Sequence, residues 1–204
     1  IGFKTKRGEK VRVKVASSFI SLEQAQLNLH REIGDDSFET TKIKAKNAWE
    51  KEFRRIEIES DNKEHIKTFY SCLYRVLLFP RTFYEFDENH KRMHYSPYNG
   101  KVLPGYMFTD NGFWDTFRAV FPFYTLLYPE KLAEILQGIM VNPYKESGWL
   151  PEWSSPGHRD CMIGSNSASI IAEAYLKGIT NFDIETAYQG IINSSKNEGP
   201  VSSV

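Results

Sequence analysis

Apolar and polar positions alternate strictly in only one short stretch of the chain. In KVRVKVA, residues 10 to 16, Val11, Val13 and Val15 alternate with Arg12 and Lys14. A period of two predicts a strand with one buried face, and a lone strand needs partners to be stable. Everything after it follows the helical period. Ser21 with Gln24 three residues on is a capping pattern, after which Leu22, Ala25, Leu29 and Ile33 keep helical spacing up to Gly34. A charged stretch from about 41 to 58 holds Trp49, Phe53 and Ile56 on one face, as a helix crossing between two domains would. Ile66, Phe69, Tyr70, Leu73, Val76 and Leu77 form a stripe ended by Pro80. Pro129 opens a helix carrying Leu132, Ile135, Leu136 and Ile139. Ile170, Ile171, Ala174 and Tyr175 mark another, closed by Gly178 and braced by Glu173 and Lys177, and Ile184 to Ile192 a last one.

The expected architecture is therefore mainly α: the end of a β domain (1–20), a helical linker (21–60) and an incomplete all-α domain (61–204). The connections 80–111 and 142–163 are long and rich in aromatics, glycines and prolines. Long loops inside a compact helical domain are commonly functional.

Composition narrows the function classes. The chain has 204 residues, 26 basic against 26 acidic, so nothing in its charge points to nucleic acid or a lipid surface. No apolar run approaches the roughly 18 residues of a membrane span. Cys72 and Cys161 fit no zinc spacing and read as buried free thiols rather than a disulfide. The chain opens at Ile1 and ends in a Ser-rich stretch, which reads as a piece of something longer.

Nucleotide loops, HExxH and GxSxG are absent. His90 and His94, four apart, could share a helical face as metal ligands, but FDENHKRMHYSPYNG around them reads as a polar, turn-rich loop. Asn193-Ser194-Ser195 is a glycosylation acceptor if a eukaryote secretes the chain. Three stretches carry more chemistry. GFWDTFRAVFP (112–122) sets Asp115 and Arg118 among Phe113, Trp114, Phe117 and Phe121. GWLPEWSSPGHRDCMIGSNS (148–167) gathers Trp149, Glu152, Trp153, His158, Arg159 and Asp160, and YSPYNGKVLPGYMFTDNG (95–112) has a similar mixture. Aromatic faces stack on sugar C–H groups while carboxylates, Arg and Asn bridge hydroxyls, so three such stretches fit a polyol site.

FYSCLYRVLLFPR, FTDNGFWDTFRAVFP and GWLPEWSSPGHRDCMIGSNSASIIAEAYLKGI, in this order, resemble glycoside hydrolase family 92, the calcium-dependent exo-α-mannosidases; SSFISLEQAQLNLHREI resembles that family's exit from its N-terminal β-sandwich. The resemblance implies a β-sandwich followed by part of an (α/α)6 barrel that the rest of the polypeptide must close. It implies a substrate of mannose-containing oligosaccharide, N-glycan or mannan, and a secreted, periplasmic or cell-surface location. Trp114, Asp115 and Arg118 match the segment lining the terminal-mannose pocket, and Arg159 to Gly164 a further cleft-lining segment; Trp153 and His158 join them as expected sugar contacts. The family inverts, using an acid and a base about 6.5–9.5 Å apart. Those carboxylates, and most of the Ca2+ site, are expected beyond residue 204, leaving Glu152 and Asp160 as the local candidates for acid and base. Asp115, kept ionised by Arg118, suits a hydroxyl acceptor. A carbohydrate-binding or structural helical module, and another (α/α)6 glycosidase or lyase, are the alternative readings.

Overall fold

The computed structural model describes residues 2–159, 161–162, 164–197 and 199. The chain divides into two units, 1–56 and 57–204.

In the first unit Ser21 caps α1 (Leu22–Glu32), its hydroxyl accepting from the Gln24 N–H at 3.1 Å, and Gly34 (φ +49°) follows the helix end. Ser37 caps α2 (Phe38–Phe53), where Trp49 and Phe53 stack at 5.6 Å. This helix begins and ends earlier than its charged face predicts, because the Ser37 hydroxyl takes the Thr40 N–H and fixes the start. The strand expected at 10–16 is not formed. Val11, Val13 and Val15 are exposed and the segment joins no ladder among the described residues. Alternation marks a face; it makes a strand only where another strand takes up the backbone hydrogen bonds.

The second unit holds the core. Asn62 caps α3 (Lys63–Val76). The connection expected as an irregular loop, 80–111, instead folds into short antiparallel strands. β1 (Arg81–Thr82) pairs with β5 (Phe108–Thr109), while β2 (Glu85–Phe86), β3 (Arg92–Tyr95) and β4 (Val102–Pro104) make a three-stranded sheet. His94 thus lies in a strand and is buried, whereas His90 sits at a left-handed turn, so the two do not share a helical face. β6 (Asn111–Gly112) leads directly into α4 (Phe113–Thr116), which breaks before α5 (Val120–Leu127). The aromatic-rich run is two helices rather than one.

Pro129 opens α6 (Pro129–Leu136), which widens into a π-helical turn (Gln137–Val141) and continues as α7 (Asn142–Ser147). Pro143 has no N–H for the carbonyl four residues back, and the ladder locally takes the wider spacing. Gly138 permits the close packing there: a Cβ on it would lie 2.7 Å from Phe108 Cδ2 and 2.9 Å from Tyr106 Cβ. The Asn142 amide donates to Tyr106 O at 2.6 Å and ties this rod to the strands. β7 (Trp153–Ser154) pairs with β6, followed by α8 (Asn166–Leu176) and α9 (Ile184–Lys196). Leu132, Leu136, Ile139, Met140, Phe113 and Ile170 form the centre of the apolar core. The Tyr124 hydroxyl reaches the carbonyls of Val76 (2.6 Å) and Phe79 (2.7 Å), joining the end of α3 to α5. Cys72 and Cys161 are exposed free thiols, not the buried pair expected. Cys72 stands next to the buried Leu73 in sequence but projects to the open side of α3. None of the helices among the described residues is long and apolar enough to cross a membrane.

Candidate active site

Two stretches far apart in sequence meet at β6 and β7. Asn111 pairs with Ser154 and Gly112 with Trp153, and the Phe113 N–H donates to Glu152 O at 3.1 Å. Gly112 makes the approach possible. A Cβ there would stand 3.0 Å from the Trp153 ring and 3.4 Å from an Asp115 carboxylate oxygen. Trp153 and Asp115 therefore flank the same backbone atom, on the surface where α4 starts. The Thr116 hydroxyl, bonded to Asn111 Oδ1 (2.7 Å) and Gly112 O (3.0 Å), fixes this first turn.

Trp114, Asp115 and Arg118 are all open to solvent or half so. The Asp115–Arg118 ion pair expected from their spacing is not made. Arg118 instead bonds Trp114 O, and its guanidinium lies 4.5 Å from the ring centroids of both Trp114 and Phe117. A planar guanidinium stacks readily on aromatic faces, and here that contact wins over a solvated ion pair of small value. Among the described residues nothing pairs with the Asp115 carboxylate, which leaves it available to an outside partner.

The 152–159 segment is bound on several sides. Arg159 N–H donates to Trp153 O at 3.2 Å and its Nε to Ser155 O at 2.6 Å. His158 Nε2 lies 3.0 Å from Ser147 Oγ, and burial holds this imidazole below its ordinary pKa, favouring the neutral ring. Glu152 turns inward to α8. Its carboxylate accepts from the Asn166 N–H (3.0 Å) and the Ser167 hydroxyl (2.7 Å), at a helix start that its own cap residue, Ser165, leaves without a side-chain bond. Burial pushes Glu152 up to about 7 against the opposing pull of these hydrogen bonds. Asp160 lies outside the described residues.

Sequence reasoning missed Asp110. It adopts a left-handed backbone (φ +62°), accepts from the Ser155 hydroxyl at 2.9 Å and is paired with Arg81. Aspartate tolerates that conformation better than most residues, and TDNG carried a turn signal that pointed there. The acceptor Asn193 lies in α9, its side chain donating to Gly148 O at 2.8 Å.

Residues 24–203 match the glycosyl hydrolase family 92 catalytic domain. A curated relative from Arthroderma benhamiae, described as an uncharacterized secreted glycosidase, is 27% identical over 202 residues, covering 96% of this chain and 21% of the relative. The solved structure of a family GH92 inverting mannosidase from Bacteroides thetaiotaomicron superposes with a TM-score of 0.86 at 51% identity, over 90% of this chain and 25% of that one. A second structure from that organism, a family GH92 α-mannosidase, gives 0.81 at 28% identity, over 90% and 24%. The chain thus spans about a quarter of the length of the relatives it matches.

Proposed function

This chain belongs to glycosyl hydrolase family 92, and from that premise we propose that its full-length protein is an inverting exo-α-mannosidase acting on terminal mannose of N-glycans or mannan. The observation that carries this reading is the junction at Gly112, where Trp153 and Asp115, unpaired among the described residues, are held side by side by the β6–β7 pairing. An indole face beside a free carboxylate is what a pyranose needs: a platform for its C–H groups and an acceptor for its hydroxyls. The 51% identity to a protein described as an inverting mannosidase supports the same sugar and outcome.

In this reading Trp114, Trp153, His158 and Arg159 complete the contacts around Asp115. Arg118 sets the Trp114 ring by stacking on it, a positioning task. The helices of 57–197 form the first part of an (α/α)6 barrel, entered from a β-sandwich, and the protein works outside the cytoplasm, as the secreted fungal relative does. The general acid and base lie beyond residue 204. Glu152 has a pKa suited to an acid, but both its oxygens are committed to α8, so we assign it the capping task. Calcium belongs to the proposal for the full-length protein. Among the described residues no three His, Cys, Asp or Glu side chains converge as ligands, and we route no step through a metal.

The test is mannose release from α-1,2-mannobiose and its other linkage isomers by the full-length protein, with calcium and with chelator. Release with Asp115→Ala lowering kcat/KM by about a hundredfold supports the reading, within the range lost when a substrate-orienting group is removed. Silence on every mannoside, with sugar binding retained, would return the protein to the carbohydrate-binding class.

A further inference from the structure

Behind the candidate site lies a buried polar cluster that the sugar chemistry does not use. His94, in β3, is 1% exposed. Its Nδ1 is 3.1 Å from Gly105 O, a carbonyl with no proton to give, so Nδ1 must carry the hydrogen. Its Nε2 is 2.9 Å from Glu146 Oε1, at the end of α7. Two bare lone pairs do not face one another at that separation, so one proton lies between them. The Glu146 side chain is 8% exposed, and its second oxygen is buried without a partner among the described residues. Such a group is costly to keep unless the geometry around it serves something.

What it serves is visible in the next residues along both elements. Ser147, after Glu146, meets His158 at 3.0 Å and takes the Trp149 N–H at 3.1 Å. Tyr98, in the turn after β3, reaches Ser154 Oγ at 3.3 Å and packs its ring 4.9 Å from that of His158, edge to face. Burial raises the Tyr98 phenol to about 12, so it remains neutral. The β3 turn and the end of α7 therefore grip the 152–158 segment like two fingers, and His94 with Glu146 is where the fingers join.

We propose that His94 and Glu146 share a single proton and act as a positioning pair, fixing the segment that carries Trp153 and His158. Neither residue touches the sugar. Only the kinetic consequence rests on the α-mannoside reading.

Three variants of the full-length protein test this, followed by hydrogen exchange of the 148–159 segment against 129–141 as an internal reference. Glu146→Ala removes the join and is expected to speed exchange of 148–159 by about tenfold, leaving 129–141 unchanged, as a local rather than global opening does. Glu146→Gln can donate its amide to the neutral ring, so it restores slow exchange. Tyr98→Phe, which deletes a single hydrogen bond, gives an increase of about threefold and keeps the test open should Glu146→Ala not fold. In parallel, kcat/KM for 4-nitrophenyl α-mannoside falls with Glu146→Ala and recovers with Glu146→Gln. Equal acceleration in both segments, no acceleration, or failure of Glu146→Gln to restore slow exchange overturns the positioning pair. Lack of mannosidase activity in the parent overturns the proposed function instead and leaves the exchange result to be read by itself.

Discussion

The units 1–56 and 57–204 were built from the same kinds of local signal and differ in what those signals achieve. Both contain helices opened by side-chain caps, at Ser21 and Ser37 in one and at Asn62 and Asp183 in the other. Yet among the described residues of 1–56 none is buried, while the second unit encloses Leu132, Leu136, Ile139 and Met140 completely. Caps satisfy amides within one turn and need no neighbour. The Val11–Val13–Val15 alternation needs a neighbour and forms nothing without one. Local chemistry can start a helix in either unit, but only the second unit of this chain supplies its own core.

The sharpest way to break the comparison is to remove one apolar side chain from each unit. Leu136→Ala empties space at a fully buried position and is expected to cost about 2–5 kcal/mol. Val13→Ala changes a side chain that is 61% exposed and should stay within about 0.5 kcal/mol. Denaturant unfolding followed by circular dichroism measures both. A large loss from Val13→Ala would show that residues 1–56 have a buried face after all.

A second effect belongs to the second unit alone. Glu152 stands near 7 when folded, against 4.5 in its unperturbed state. Below 4.5 the carboxyl is protonated folded or unfolded and contributes no slope. As the pH rises towards 7 the unfolded chain ionises first, so stability falls across that window, by on the order of 3 kcal/mol for a shift of this size. Glu152→Gln should flatten that part of the pH–stability curve, which thermal unfolding at successive pH values checks. An unchanged slope would mean that the helix start of α8 keeps Glu152 ionised despite its burial.

How far the sequence could be read follows the same division between local and distant causes. The helix starts at Ser21 and Pro129 and the stop at Gly178 were legible because each depends on a residue within one turn. The seven short strands among the described residues were not. Asn111 pairs with Ser154 across more than forty positions, and a two-residue strand has no period to detect. The π-helical turn hid for another reason: a connection was expected from 142 on, whereas tertiary packing of Gly138 on Phe108 keeps the rod continuous into α7. At the site, the composition of 112–118 and 148–159 singled out both segments that meet. It gave no sign that Arg118 would stack on Trp114 rather than pair with Asp115, or that Glu152 would be drawn to α8, since both are choices among partners that only the fold presents.

The smallest effect tests whether caps are indifferent to the core. Ser21→Ala in the first unit and Asp183→Ala in the second each delete a side chain that accepts from an N–H in the first helical turn, and each should cost about 1 kcal/mol at neutral pH. Asp183 differs in one respect. Lys145 at 2.6 Å, together with the Thr186 N–H and hydroxyl, holds its carboxyl down to about 2. Its contribution is present above the unperturbed 3.8 and disappears as the pH falls through that window, while the Ser21 cap, having no charge, persists. Hydrogen exchange of α1 and α9 at pH 7 and again near pH 2 separates the two. Equal losses at pH 7, with only the Asp183 effect vanishing in acid, would establish that the caps act alike in both units. A Ser21 loss well below that of Asp183 at pH 7 would show instead that α1, lacking a core beneath it, is too frayed for its cap to matter.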